Sequence, residues 1–414
     1  MKRLTIWYSE LNIYFKLIPF LLLYSIIIIL FAPSEYLGDE SRYLFFANNL
    51  LNGFYSPPYP NYNLWNGPGY PLFLSLFMLF KPPLMVLRLL NGLLLYFSLI
   101  ICYKTLRIHA PKRNALLFTV ILGLYFPIFQ KLPTILTESL TWFLISLVCF
   151  LFIKSYMLKN ISWKLVIITA FSIAFLVMTK IIFGYVILIM LFVSVFMFLL
   201  PKFSSSAKKS TFIFLLSFVF SLPWLLYTYS LTGKIFYWGN SGSMSLYTMS
   251  SPYQNELGNW ETFYNLKQNP NHKVFMDSLD NLNSLQRDEA FKIKAIENIK
   301  NYPKKYFTNW IANIGRLLFS YPYSNAEQSI KTYFTIIPNM FVVVFIVLSV
   351  LISVFHYKKL PEALILLFLF IIIYLFGSTL VSAYRRMFYV TIPFWIVFIS
   401  FIFNNIISIK IKGS

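Results

Sequence analysis

Long apolar runs recur along the chain, and their length predicts helices that cross a bilayer. A spanning helix needs roughly 20 consecutive apolar residues. Ten runs approach that length: 11–32, 83–103, 114–130, 138–157, 164–179, 181–200, 210–231, 333–355, 361–380 and 387–409. The 164–179 run is short, and only a tight turn separates it from 181–200. The pattern predicts an all-α polytopic membrane protein with about ten transmembrane helices.

The first of two long segments between these runs covers residues 33–82. Within ESRYLFFANNLL the apolar residues recur at helical spacing beside Arg42, Asn48 and Asn49, which predicts an amphipathic helix lying in the membrane interface. The Pro-, Asn- and Gly-rich stretch SPPYPNYNLWNGPGYP predicts a loop. PLFLSLFMLF is too short to span and predicts a second interfacial helix.

The second long segment covers residues 232–332. Its first half is rich in Gly, Ser, Asn and Tyr, which predicts irregular loop. Its second half has apolar residues at helical intervals, a break at Pro303 and a further helical stretch through Trp310 and Leu317. Two surface helices at the membrane edge fit this pattern. We therefore expect one integral membrane domain over 1–414, with its function carried by these two outer segments.

Composition and charge placement agree with a membrane protein. The chain is 58% hydrophobic and 12% charged, and its mean hydropathy is +0.67. The formal net charge of +21 does not indicate nucleic acid as a partner, because Lys and Arg cluster in alternate short loops. The positive-inside rule places those loops and both termini in the cytoplasm, and the two long segments outside.

The cysteine and histidine positions give no sign of a disulfide framework or a zinc centre. Cys102 and Cys149 both fall within predicted spans. His109, His272 and His356 are scattered over both sides of the membrane.

Three acidic residues lie at the outer ends of predicted helices, where ionisable groups are costly unless they have a function. Asp39 and Glu40 begin the first amphipathic helix, and Glu138 begins the 138–157 span. Helix capping alone explains such positions, since a carboxylate is stabilised by the unpaired N–H groups of a helix start. The chemical alternative makes them candidate catalytic residues, with a carboxylate as general base towards a hydroxyl group.

A divalent cation is a further alternative for two of these carboxylates. Asp39 and Glu138 together make an incomplete ligand set. We therefore assign no metal ligands, and Mg²⁺ or Mn²⁺ stays an open alternative as cofactor.

Basic residues also lie on the outer side, where the positive-inside rule does not require them. Lys180 is in VMTKIIFGY, Arg385 and Arg386 are in SAYRRMFYV, and Arg88 is near the outer end of the 83–103 span. Snorkelling to the interface explains some of them. Phosphate binding is the alternative, because Arg offers a bidentate fork and Lys a point charge.

In order along most of the chain, these segments resemble those of GT-C glycosyltransferases such as the dolichyl-phosphate-mannose:protein mannosyltransferases and the bacterial aminoarabinose lipid A transferases. GDESRYLFFANNLLNGFY is similar to the first outer loop of that superfamily, with its Asp-Glu pair and amphipathic helix. LTESLTWFLISL, VMTKIIFGYVILI and YRRMFYVTIPFWIVF resemble its later segments. In departure from the family pattern, NGPGYP replaces a double proline and Ile181 stands where Gly follows the Lys.

The resemblance implies a polyprenyl-phosphate-linked sugar as donor and transfer with inversion at the anomeric carbon. It further implies Asp39 as general base, Glu40 as a brace through a basic partner, and Lys180 with Arg385 or Arg386 on the departing lipid phosphate. Residues 232–260 are expected to cover the sugar and admit the acceptor. The aromatic residues expected to do so include Tyr237, Trp238 and Trp260.

Other functions remain open at this level. A polymerase or ligase of lipid-linked oligosaccharides would also have many spans and a large outer loop. A transporter or lipid flippase would require polar or broken helices at mid-membrane, whereas these runs are almost purely apolar. The sugar is not specified, and the acceptor is a protein, a lipid or a glycan. A bacterial inner membrane, with the active site facing the periplasm, is the expected setting.

Overall fold

The computed structural model describes residues 12–200, 204–260, 269–324 and 330–407, and these ranges are helical without a strand. Helices of the first half, in chain order, are α1 (Ile13–Phe31), α2 (Glu40–Leu51), α3 (Gly69–Met78), α4 (Leu84–Leu106), α5 (Lys112–Gly123), α6 (Glu138–Met157), α7 (Trp163–Thr179) and α8 (Ile182–Leu199). Those of the second half are α9 (Ser204–Thr232), α10 (Gly242–Met249), α11 (Pro270–Ser278), α12 (Ser284–Asn301), α13 (Pro303–Phe319), α14 (Ile330–Phe355), α15 (Glu362–Thr379), α16 (Arg385–Tyr389) and α17 (Ile392–Asn405).

Among the described residues, seven helices are long and apolar enough to cross a membrane: α1, α4, α6, α8, α9, α14 and α15. The other three predicted runs correspond to helices shorter than these seven. Runs 164–179 and 387–409 correspond to α7 and α17, which have 17 and 14 residues. Run 114–130 is interrupted after Gly123, and a 3-10 helix, Phe126–Lys131, follows. Pro127 explains the interruption, because in a continuous α-helix its ring would clash with the carbonyl four residues earlier, at Gly123, and it has no N–H to donate there.

The two long segments 33–82 and 232–332, called the outer segments after their predicted orientation, contain more helix than the sequence pattern predicts. The amphipathic helix at α2, the short helix α3 and the break at Pro303 are confirmed. The prediction of irregular structure in the first half of 232–332 is wrong for α10 and α11. Asn269 caps α11 by accepting from the backbone N–H of Asn271, which stabilises a helix that has little apolar periodicity.

Helix neighbours bring the chain's distant segments to one end of the bundle. Helix α6 packs between α4 and α7, α9 packs between α7 and α8, and α15 lies beside α8. A second, smaller core holds the outer helices α10, α11 and α12 together through Tyr247, Leu279, Phe291 and Ala295. The starts of α2, α6 and α16 and the α7–α8 junction carry the charged residues of the site.

Some of the topology prediction falls outside the described residues. Lys2, Arg3, Lys202, Lys410 and Lys412 belong to that part of the chain. The cytoplasmic placement of both termini therefore stays a prediction.

Candidate functional site

A cavity of about 1070 Å³ lies between the outer segments and the helix ends. It is larger than the roughly 300–1,000 Å³ of most small-molecule pockets. One wall is apolar and comes from α8 and α15, with Ile182, Val186, Ile189, Ile373 and Phe376. The lining also contains charged residues, and four of them, Asp39, Arg42, Lys180 and Arg386, belong to one cluster of ion pairs. The cavity can thus hold a ligand that has both an apolar and an anionic part.

Asp39 is held between two guanidinium groups. Its Oδ1 accepts from Nη2 of Arg42 at 2.6 Å, and its Oδ2 accepts from Nη1 and Nη2 of Arg386, both at 3.2 Å. Burial opposes the ionisation of Asp39, but the charges of Arg386 and Arg42 outweigh it and hold the pKa of Asp39 below its usual value. Asp39 is therefore a carboxylate at neutral pH and can accept a proton.

Glu138 belongs to the same cluster of ion pairs and shares its counter-charges. Its side chain is 1% exposed, with Lys180 Nζ at 3.6 Å and Arg386 Nε at 3.7 Å from Oε1. Neither carboxylate oxygen makes a hydrogen bond. Glu138 thus fixes Lys180 and Arg386 by charge rather than by a tight hydrogen bond, and both cations remain on the cavity wall.

Glu40, although adjacent to Asp39, points into the protein. It is fully buried, and its two oxygens accept from the backbone N–H groups of Leu37 and Ile135, both at 2.7 Å. Arg88 lies 3.4 Å from it and donates to the carbonyl of Pro33 at 2.6 Å. Glu40 thus has the basic partner expected from the sequence. Neither residue lines the cavity, so the structure does not place Arg88 in a phosphate-binding position.

The two adjacent arginines of SAYRRMFYV separate in the same way. Arg386 enters the cavity, whereas Arg385 donates from Nη1 to Thr335 Oγ1 at 2.9 Å and does not line it. Of the two alternatives for the second phosphate-binding cation, the structure brings only Arg386 beside Lys180.

Beside Asp39, three aromatic rings connect Arg42 to Arg386 through a continuous series of contacts. Trp260 stacks on Tyr384 with centroids 6.2 Å apart, and it meets Trp65 edge-on at the same distance. The Arg42 guanidinium lies 5.4 Å over the Trp65 ring, and that of Arg386 lies 5.0 Å over the Tyr384 ring. These contacts orient the two guanidinium groups and add three aromatic rings to the cavity lining.

The predicted lid residues Tyr237, Trp238 and Trp260 all line the cavity. Trp260 Nε1 donates to the carbonyl of Ser382 at 3.0 Å, which ties residues 232–260 to the chain before α16. Tyr237 donates to Asp288 Oδ2 at 2.8 Å. The segment therefore contributes to the cavity lining, while its role as a cover over the sugar stays a prediction.

Three cavity residues escaped the sequence analysis as site residues. Arg42 was treated only as part of a polar helix face, and Trp65 and Tyr384 were not singled out. One signal was available for Arg42, because a residue three positions after Asp39 on a helix faces the same side. No sequence pattern pairs Trp65 with Tyr384, since their contact runs through Trp260.

The donor set does not suit a divalent cation. Asp39 and Glu138 already share three cationic partners, which a metal ion would have to displace. Among the described residues, no group of three or more His, Cys, Asp or Glu is arranged to hold a metal. We derive no step through a metal ion.

The fold is similar to that of an oligosaccharyltransferase from Archaeoglobus fulgidus, seen in a crystal structure tethered through a disulfide bond to an acceptor peptide containing the NVT sequon. The TM-score is 0.52 at 14% sequence identity, over 95% of this chain. This is the GT-C fold.

The GT-C fold agrees with the resemblance found in the sequence. The chain spans 50% of the length of the structural neighbour. No protein-family model matches the chain, and no curated protein sequence matches it. The similarity therefore establishes the architecture, and the activity must be argued from the site.

Proposed function

We propose that the protein is a membrane glycosyltransferase that moves a sugar from a polyprenyl-phosphate donor to an acceptor hydroxyl. The observation that carries this proposal is the presence of the Asp39 carboxylate beside Lys180 and Arg386 in one cavity of a GT-C fold. Sugar transfer from a phosphodiester requires a base for the acceptor hydroxyl and cations for the departing phosphate.

The charge of the site fits an anionic phosphate. Two carboxylates, Asp39 and Glu138, form ion pairs with three cations, Arg42, Lys180 and Arg386, and Lys131 adds a further positive charge near Glu138. The cluster is therefore positive, and a phosphodiester with one negative charge would offset part of that excess. The apolar wall of α8 and α15 gives the prenyl chain a surface, so phosphate and lipid can be bound together.

In the proposed reaction the acceptor oxygen attacks the anomeric carbon while Asp39 takes the hydroxyl proton. The bond from that carbon to the phosphate oxygen breaks, and its electron pair leaves with the polyprenyl phosphate. Lys180 and Arg386 stabilise the second negative charge that develops on this phosphate. Attack opposite the leaving group inverts the anomeric centre.

The proposed setting is a bacterial inner membrane, with the cavity on the face opposite the basic loops. The acceptor is a protein, a lipid or a glycan. Loop 232–260 is proposed to cover the bound sugar through Tyr237, Trp238 and Trp260. Unchanged turnover after deletion of the loop's tip would contradict that role.

Transfer from radiolabelled polyprenyl-phosphate sugars, in membranes with equal amounts of protein, tests the proposal. Asp39→Asn should lower transfer by roughly 10²–10⁴-fold, the range for loss of a general base. Asp277→Asn removes an exposed carboxylate of the outer segment and is the matched control, which should retain transfer. Transfer that survives in Asp39→Asn would exclude Asp39 as the base. If no donor supports transfer by the wild type, the result would favour the polymerase or transporter function instead.

A further inference from the structure

The two guanidinium groups on Asp39 are held in unequal ways. Arg42 is fixed on three sides: Nη2 donates to Asp39, Nε donates to Asn66 Oδ1 at 2.7 Å, and the group lies over the Trp65 ring. Arg42 and Asp39 also belong to the same helix start, three residues apart. We therefore expect Arg42 to keep its ion pair with Asp39 when a ligand binds in the cavity.

Arg386 is instead shared between two carboxylates, Asp39 and Glu138, and like Arg42 it also lies over an aromatic ring, that of Tyr384 at 5.0 Å. Its contacts with Asp39 Oδ2 are 3.2 Å long, against 2.6 Å for the Arg42 contact, and its Nε lies 3.7 Å from Glu138. Both oxygens of buried Glu138 lack a hydrogen bond. Arg386 faces the cavity beside Lys180. An anion that enters the cavity there can bind Arg386, whose contacts with Asp39 and Glu138 are long and are shared between two carboxylates.

We propose that the donor phosphate competes with Asp39 for Arg386, so that donor binding frees Oδ2 of Asp39 for the acceptor hydroxyl while Arg42 keeps the carboxylate in place. This rests on the proposed function and assigns the two arginines different roles. Arg386 is the transferable cation that contacts substrate, and Arg42 is a positioning residue.

The charges that face Asp39 determine how this exchange changes its basicity. Arg42 comes from its own helix, Arg386 from α16, and Lys180 from the α7–α8 junction, while the Tyr43 hydroxyl, Glu138 and Lys131 face the same cluster. When Arg386 turns to the phosphate, Asp39 loses one of its two close cationic partners. The carboxylate then becomes a stronger base at the moment when a donor is present. Donor would bind before the acceptor is activated.

Both proton and electron pair are accounted for in this scheme. The acceptor O–H proton goes to Oδ2 of Asp39, the new bond joins the acceptor oxygen to the anomeric carbon, and the leaving oxygen takes the electron pair. Arg386 and Lys180 then bind a polyprenyl phosphate with one more negative charge. Departure of this product returns Arg386 to Asp39.

Binding of undecaprenyl phosphate to the full chain in nanodiscs tests the competition without turnover. Asp39→Asn should tighten binding by about tenfold, because a charged hydrogen-bonding competitor for Arg386 is removed. Arg386→Gln should weaken binding. Asp39→Asn in the Arg386→Gln background should then change binding by less than about twofold, since the shared cation is gone.

Two outcomes would overturn the proposal. One is an Asp39→Asn variant that binds the probe no more tightly than the wild type. The other is equal tightening with and without Arg386, which would indicate general charge repulsion. Asp277→Asn is the control: this exposed carboxylate lies in the outer segment 232–332 but does not line the cavity, and the change should leave binding within about twofold.

The positioning role of Arg42 is tested by measuring probe binding and turnover separately. Arg42→Gln should weaken probe binding less than Arg386→Gln does, through the loss of one positive charge, and should lower kcat about tenfold, because a misplaced base acts only in the chemical step. Arg42→Gln that weakens probe binding as much as Arg386→Gln would overturn the division of roles. Transfer that is lost in Asp39→Asn without any change in probe affinity would leave the proposed function intact and contradict only this inference.

Discussion

The indole of Trp238 packs directly against Gly184 of α8. A Cβ atom added to Gly184 would lie 2.4 Å from Cε2 of Trp238 and 2.6 Å from Cδ2, which is closer than carbon atoms approach. Trp238 is 1% exposed and lines the cavity. The absent side chain at Gly184 is therefore what allows the segment 232–260 to approach the helices.

Gly184→Ala should displace Trp238 and lower transfer activity by about tenfold, because overpacking costs roughly 1–3 kcal/mol and shifts the neighbouring wall. In a helix, Gly to Ala otherwise gains roughly 0.5–1 kcal/mol. Transfer assays together with thermal unfolding in detergent would measure both effects.

Gly377 of α15 provides the matched control for this substitution. It lines the same cavity, and an added Cβ would meet only Ile182 Cδ1 at 3.8 Å, an ordinary contact. Gly377→Ala should leave transfer unchanged and stability equal or slightly higher. Equal loss in both variants would show that helix flexibility, rather than Trp238, sets the activity.

The fold class was predictable because burial in lipid imposes a simple pattern on the chain. Apolar runs near span length located the long helices, and the order of loose motifs indicated the GT-C fold. The same argument could not find the break after Gly123, since an apolar run continues through Pro127. Helices α10 and α11 were missed because their sequences are rich in polar residues and their packing involves residues remote in sequence.

For the site, sequence located the charged residues but not the direction in which each points. Asp39 and Glu40 are neighbours, yet one enters the cavity and the other is buried against Arg88. Arg385 and Arg386 diverge likewise. Successive residues at a helix start face different sides, and tertiary packing decides which side is the cavity.

Substitution of Glu40 should lower the free energy of unfolding more than it lowers the rate of sugar transfer. Glu40→Ala leaves the guanidinium of Arg88 buried without its counter-charge and removes the acceptor for two backbone N–H groups. We expect a loss of roughly 3–5 kcal/mol, the cost of breaking a buried ion pair. Thermal unfolding would show the loss, while kcat of the remaining folded protein should stay within about threefold of wild type.

Glu35→Ala is the control for Glu40, since this exposed residue lies in the same segment and should change stability by less than ~0.5 kcal/mol. The double variant Glu40→Leu with Arg88→Met should recover part of the loss, because an apolar pair needs no counter-charge. A Glu40→Ala protein of normal stability that cannot transfer sugar would instead assign Glu40 a role in chemistry.

A buried network around Glu256 makes the outer segment sensitive to acid. Glu256 Oε2 lies 2.8 Å from His272 Nε2 and accepts from Ser251, and Oε1 accepts from Asn269 and Asn271 at 3.0 and 3.2 Å. Burial opposes ionisation, but the hydrogen bonds with His272, Ser251 and Asn271 lower the pKa of Glu256 to about 2. The network anchors the residues that lead to Trp260.

A pKa lowered by folding gives stability that is present above the usual carboxyl pKa and lost as pH falls towards the folded pKa. For Glu256, folding lowers the pKa from 4.5 to about 2. The contribution of this carboxylate to the free energy of unfolding, ~3 kcal/mol at most, should therefore disappear as the pH falls from about 5 to about 2. Glu256→Gln should therefore unfold at a lower temperature than wild type at pH 7, with the gap narrowing below about pH 4.5. Glu297→Gln removes an exposed carboxylate of α12 that pairs only with Lys294 among the described contacts, and it should match wild type at every pH. A gap between wild type and Glu256→Gln that stays constant down to pH 3 would show that Glu256 stabilises by shape and neutral hydrogen bonding rather than by its charge.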